Sequence, residues 1–227
     1  MRKKFSKRFK KLLDISKYKQ SSKVEDVIEK VKKNCTTKFD ESIDVSLSLN
    51  LKQKKDVFNL RTIVNLPNGN GKKIRIAVLC EDSKSSEAKN SGAEIFGSES
   101  LVNDIMTGKI KFDKLIASPS MMSKMGKLGK ILGPKGLMPN PKLGTVTNNI
   151  QSAVKALKSG QIEIKNDKDG NVGVSIGKKS FTDDKIKANF DALIQTISKE
   201  KPSGIKGEFI LSAYITSTMG VSYKLKL

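Results

Sequence analysis

Two stretches near opposite ends of the chain, ESIDVSLSLNL (41–51) and EFILSAYITST (208–218), alternate apolar with polar residues. Only a strand switches faces at every residue, so each stretch buries one side and wets the other. The first row is Ile43, Val45, Leu47, Leu49 and Leu51; the second is Phe209, Leu211, Ala213 and Ile215. Such strands suit an antiparallel sheet with one face on a core. The middle of the chain reads differently. From about residue 73, KIRIAVLC, AEIFG and FDKLIAS are short continuous apolar runs separated by helical stretches such as ESLVNDIMTGKI. Strands buried on both faces and alternating with helices indicate βαβ units around a small parallel sheet. One texture is thus interrupted by another and then resumes. This predicts a two-domain α+β / α/β chain. A discontinuous α+β domain comes from both chain ends (1–67 plus 160–227), with an inserted doubly wound, Rossmann-like α/β domain at 68–159. A single domain with one mixed sheet is the alternative.

Local signals fill in the frame. Ser22 is the expected N-cap of KVEDVIEKVKKNC, where Val24, Val27, Ile28, Val31 and Cys35 form one stripe. FNLRTIVNLP is the expected partner of the first strand. NNIQSAVKALKSG reads as a helix stopped at Gly160. QIEIKND and NVGVSIG flank Lys168-Asp169-Gly170 and read as a hairpin. A helix carrying Ile186, Phe190, Leu193, Ile194 and Ile197 runs to about Lys199. The basic start, MRKKFSKRFKKLLDISKYKQ, reads as a helix with Phe5, Phe9, Leu12 and Leu13 on one face. A transit peptide or nuclear signal is the other reading; a secretory apolar region is lacking.

Charge narrows the function. Lysine and arginine number 44 against 23 aspartate and glutamate, a net charge of +21. Such an imbalance repels itself unless a polyanion neutralises part of it, and nucleic acid is the usual one. A membrane surface or an acidic protein would also serve, but no apolar run approaches the ~20 residues of a membrane span. The chain has no histidine, which removes His-based triads, imidazole metal sites and the commonest general base. Cys35 and Cys80 fit no metal-ligand spacing, so a reduced compartment is the simplest inference. Gly69-x-Gly71-Lys72 lacks the spacing, the hydroxyl and the following helix of a phosphate loop, and reads as a turn. Asp183-Asp184 begins a helix and Glu81-Asp82 ends a strand. No enzyme and no cofactor is expected.

Three segments suit RNA. KLGKILGPKGLMPNPKLGTVT (127–147) holds three of the six prolines, four of the 17 glycines, four lysines and no acid. It is expected to be a rigid loop that neither helix nor strand could contain. TKFDESID (37–44) crowds hydroxyls, acids, Lys38 and Phe39 into the first strand; Phe39 is either core or a stacking platform for a nucleotide. TSTMG (216–220) offers hydroxyls, backbone N–H groups and a flat, flexible Met219 to phosphate, 2′-OH and base. Each segment also has an ordinary reading, as a connection or a strand end.

In this order and spacing, GKLGKILGPKGLMPNPKLGTVT, TKFDESID, IEIKNDKDGNVGVSIGK and ITSTMG closely resemble the ribosomal L-one family. This is the large-subunit protein of the ribosome's mobile side stalk, here of bacterial or organellar type. The resemblance runs from Lys7-Arg8 to Gly220 and implies the inserted-domain fold. It implies a principal RNA site at Thr37, Lys38, Phe39, Glu41, Ser42 and Asp44, then Lys165, closing with Thr216, Ser217, Thr218, Met219 and Gly220. Glu41 and Asp44 would accept from base or sugar donors and repel misplaced phosphates. A secondary RNA or interdomain loop would be Lys130, Gly133, Pro134, Lys135, Gly136, Pro139, Asn140, Pro141 and Lys142. The implied partners are large-subunit ribosomal RNA, transfer RNA at the exit site and the protein's own messenger RNA leader. The implied state is a monomer on a cytoplasmic or organellar ribosome, with no membrane partner. The family's role is to assist release of deacylated tRNA and to repress its own translation. Thr62 stands where the family usually has glycine, the tail after Gly220 is short, and the start matches that of bacterial members rather than a transit peptide. A generic basic RNA- or DNA-binding chaperone is the competing class.

Overall fold

A computed structural model describes residues 5–16, 22–50, 60–202, 205 and 207–226. In chain order the elements begin with helices α1 (Lys7–Ser16) and α2 (Val24–Lys33), then strands β1 (Ser42–Leu49) and β2 (Arg61–Asn65). Next come β3 (Ile76–Leu79), α3 (Ser85–Asn90), β4 (Ile95–Gly97), α4 (Glu99–Met106) and β5 (Lys114–Ala117). Three helices follow: α5 (Met122–Met125), α6 (Gly129–Lys135) and α7 (Ile150–Lys158). The chain closes with β6 (Gln161–Lys165), β7 (Asn171–Lys178), α8 (Asp183–Lys199), β8 (Ile210–Ser217) and β9 (Tyr223–Lys224). It divides into two compact units, Met1–Gly71 with Ile162–Leu227, and Lys72–Gln161.

The first unit is α+β. Its four-stranded sheet has the order β7-β1-β8-β9, antiparallel throughout. Ile43, Val45, Leu47 and Leu49 turn inward, while Ser42, Asp44, Ser46 and Ser48 turn outward. The inner face packs on Val27, Ile28 and Val31 of α2 and on Ile186, Phe190, Leu193 and Ile197 of α8. Acids in the first turn of α2 and lysines in its last turn complement the helix dipole.

Several local expectations change. Helix α2 is capped by the extended Lys23. Ser22 instead spends its backbone on a parallel bridge to Leu225. Strand β2 pairs with β6, in a separate two-stranded sheet, and not with β1. The supposed hairpin therefore parts: β6 and β7 flank a tight turn at Asp167–Gly170 but pair with β2 and β1 respectively. Leu211 is 51% exposed. Ser48 faces Ser212 while Leu49 faces Ile210, so Leu211 is the extra residue of a bulge and is turned out of its expected row. Leu51 and the first two residues of FNLRTIVNLP lie outside the described residues. At the N-terminal end, Leu12 is buried and Phe9 and Leu13 half-buried, while Phe5 lies ahead of α1 and is exposed.

The second unit is doubly wound around a parallel sheet of order β4-β3-β5. Side-chain alternation in β3 and β5 feeds two cores. Ala77, Leu79, Leu115 and Ala117 pack with Leu101, Val102 and Ile105 of α4 on one face. Ile76, Val78 and Ile116 pack with Ala88 of α3 and Ile150, Val154 and Leu157 of α7 on the other. Gly160, with φ 108°, follows the end of α7.

Candidate nucleic-acid interface

Antiparallel pairing puts the start of β1 beside the ends of both β7 and β8. Ser42 faces Lys178, Ile43 faces Ser217 and Asp44 faces Thr216. Residues 176 positions apart thereby meet: the Thr218 N–H donates to Ser42 O at 3.1 Å, and Thr218 Oγ1 accepts from the Ser42 N–H at 3.0 Å. TKFDESID and TSTMG are thus one structure.

Glu41 sits at its centre and is 0% exposed. Its Oε1 accepts from Thr37 Oγ1 at 2.6 Å and from the Thr37 N–H at 3.4 Å, and its Oε2 accepts from the Met219 N–H at 3.1 Å. The nearby Ser217 hydroxyl also favours the charged carboxylate. Burial pushes the carboxyl pKa up, but these donors outweigh burial and hold it below its ordinary value. The structure therefore places Glu41 beneath the surface, with its oxygens taken by protein donors. Gly220 closes the turn through its N–H to Ser217 O at 3.1 Å. A Cβ there would stand 2.3 Å from Ser217 Oγ.

The segment ahead of β1 is braced from three sides. Arg8 donates to Met219 O at 3.0 Å and to Thr36 Oγ1 at 3.3 Å. Lys179 donates its backbone N–H to Glu41 O at 2.8 Å and its Nζ to Cys35 O at 2.7 Å. Asp40 accepts from the Ser180 N–H and hydroxyl at 3.0 and 2.8 Å. The buried Cys35 thiol donates to Val31 O, and burial raises its pKa. Lys179 and Ser180 did not stand out in the sequence; Asp40 lay inside TKFDESID without a role of its own, and Arg8 only marked where the resemblance starts. Arg8 belongs to a general run of basic residues, and the others to connections whose partners only the fold brings near.

What this scaffold presents outward is short and mixed. Phe39 is 52% exposed and Met219 47% exposed. The exposed Lys38 and Thr218 lie beside them in sequence, and Asp44 and Thr216 share the outer face of the sheet. Phe39 is therefore no core residue. Lys165 lies elsewhere on this unit, lining a groove of about 490 Å³ with Ser46, Asn166, Asn171 and Gly173. Ser46 and Gly173 are cross-strand partners on the same outer face as Asp44. The turn beside the groove is pinned by Asp167, which accepts from the Asn171 and Asp169 N–H groups at 2.7 and 3.0 Å.

The Gly/Pro stretch lies in the second unit, and here a helix does contain part of it. Helix α6 includes Gly133 and Pro134 and ends at Gly136, with φ 66°. A residue before proline resists the helical region partly through its Cβ, which Gly133 lacks. Beyond it, Asn140 caps the short turn Pro141–Leu143, accepting from the Lys142 N–H at 2.9 Å. Thr145 Oγ1 accepts from the Asn140 N–H at 2.8 Å. Val146 then bridges to Ala117 on β5. Pro139 is buried, and Lys130, Lys135 and Lys142 are exposed. None of these residues belongs to the cluster around Glu41. The phosphate-loop lookalike is the expected turn: Asn189 holds it by donating to Gly69 O at 2.8 Å and accepting from the Asn68 N–H at 3.1 Å.

Residues 31–221, which run from the end of α2 through β8 and include the whole inserted unit, match the family described as ribosomal protein L1p/L10e. The chain belongs to this family. It is 57% identical over 223 residues to the large ribosomal subunit protein uL1 of Pelagibacter ubique, covering 98% of this chain and 97% of that one. To the uL1c protein of Phaeodactylum tricornutum it is 46% identical, covering 99% and 97%. To the uL1 protein of Rickettsia akari it is 43% identical, covering 88% and 84%. These relatives are named as proteins of the large ribosomal subunit, and the family as one of ribosomal proteins.

Proposed function

We propose that this large-subunit ribosomal protein binds a folded element of large-subunit ribosomal RNA through the sheet end built around Glu41. It would thereby form the mobile side stalk near the tRNA exit site. The observation that carries the reading is two exposed apolar side chains, Phe39 and Met219, on hydroxyl-bearing segments joined through Glu41, in a chain of charge +21. Lysines supply sequence-independent attraction by releasing counterions from phosphates. Phe39 and Met219 offer flat apolar contact to a sugar or base, and Thr218, Thr216 and Asp44 suit 2′-OH groups and base edges. The groove at Lys165 extends the same face. On this reading the stalk moves with deacylated tRNA as it leaves, and the same surface represses translation by holding the protein's own messenger RNA leader where that leader mimics the ribosomal site. The protein acts as a monomer in the ribosome, without a cofactor. The exposed lysines of α6 and the following turn are a secondary RNA or interdomain surface.

The deciding measurement is competition between the ribosomal stalk RNA fragment and total transfer RNA at moderate salt. Preference for the fragment is expected. Thr218→Val and Met219→Gly are expected to weaken fragment binding more than binding to unrelated duplex RNA, whereas Lys130→Ala or Lys135→Ala changes fragment affinity by only a few-fold. Equal losses on both RNAs would favour a generic basic chaperone. A loss at Lys130 as large as at Thr218 would move the site to the second unit.

A further inference from the structure

We propose that Glu41 is a positioning residue: its buried carboxylate sets the spacing of Phe39 and Met219 and so governs selectivity for folded RNA without touching it. The inference rests on the RNA-binding reading above. Glu41 is 0% exposed, and its oxygens receive three donors: the Thr37 hydroxyl and N–H on Oε1 and the Met219 N–H on Oε2. No carboxylate surface is left to meet a ligand.

The donors come from the two segments that display the exposed apolar side chains. Thr37 opens the bend that carries Phe39, and Met219 donates with its own backbone. The anchor is itself fixed, because Glu41 O accepts from the Lys179 N–H at 2.8 Å and Ser42 is laddered to Thr218. Beside the ladder at Ser42 and Thr218 and the Arg8 contacts, this buried side chain ties the two segments together from beneath. The chemistry also explains why the residue is an acid. Backbone N–H groups, which can only donate, reach both oxygens, so an acceptor-only group is required, and an amide in its place would turn an N–H toward one of them. A turn ordered before binding spares the RNA the cost of ordering it.

The test uses the full chain with Glu41→Gln, the ribosomal stalk RNA fragment and an unrelated duplex. Glu41→Gln is expected to lower fragment affinity by roughly tenfold or more, as a buried backbone N–H is left without its acceptor. Duplex affinity and the salt slope of binding should be unchanged within about twofold, since no phosphate contact is removed. Combining Glu41→Gln with Phe39→Ala or Met219→Ala should cost little beyond the worse single variant, because the anchor acts through those side chains. Additive losses would mean that Glu41 contacts RNA independently and would overturn the proposal, as would wild-type fragment affinity in Glu41→Gln. If Glu41→Gln does not fold, Thr37→Val decides: it removes one hydroxyl donor and leaves the carboxylate, and a several-fold selective loss is expected. Wild-type behaviour of Thr37→Val would then overturn the proposal. A wild-type protein that does not prefer the fragment overturns the RNA-site reading as well; preference retained in wild type and variants alike overturns this inference only.

Discussion

At the scale of single residues, the site is a set of small side chains whose positions are not interchangeable. Gly220 shows this most plainly, because any Cβ there collides with the Oγ of the buried Ser217. Gly220→Ala is expected to lower the stability of the first unit by about 1–3 kcal/mol, measured by chemical denaturation, and to reduce stalk-RNA selectivity alongside. Unchanged stability would mean that the turn relaxes freely. Glu41 also gives the site a pH dependence with a definite sign. Its folded pKa is depressed by hydrogen bonding, so its contribution is fully present above its unfolded pKa and is lost as pH falls through the folded value. Unfolding midpoints followed from neutral pH to below 4 are therefore expected to drop in wild type more steeply than in Glu41→Gln; parallel curves would refute the coupling. Sequence reading found Glu41 but gave it a surface role. A pattern of types cannot show that a carboxylate lies under the turn it organises, since burial there depends on Ser217 and Met219 arriving from the far end of the chain.

Among the elements, the alternating strands were the most legible and the connections the least. Period-two patterning set β1 in its correct faces over its whole length, because a slip of one residue would put Val45 and Leu47 in water. The same pattern misplaced Leu211, because a bulge opposite Ser48 and Leu49 adds a residue that no periodicity announces. Partner choice was lost for a similar reason: β2 and β6 are ordinary short strands, and only the core they share with α8 brings them together. In α6, proline and glycine pointed to a loop and concealed a helix. The cap of that helix gives a clean test. Gly136 has φ 66° and open space around a would-be Cβ, so Gly136→Ala isolates backbone strain. A loss of about 1 kcal/mol is expected in the second unit; no loss would show that α6 can end another way.

For the whole molecule, two hydrophobic systems are housed in one chain. The core of the first unit draws on both chain ends, and the two cores of the second lie between Ile76 and Leu157. Ile150→Ala is expected to cost the second unit about 2–5 kcal/mol while leaving stalk-RNA selectivity intact, as read by paired denaturation and binding curves. A matching loss of selectivity would show that the units do not act separately. The net charge of +21 works over the entire surface. It should give RNA affinity a steep decline with salt on any duplex.

The bridge between Ser22 and Leu225, and the central place of β1 between β7 and β8, have a consequence for synthesis. As the nascent chain emerges, β1 appears early but waits for neighbours made more than a hundred residues later. The inserted unit is contiguous and can close first. Until β8 is released, an apolar strand edge stands unpaired, a state that invites chaperones and aggregation alike.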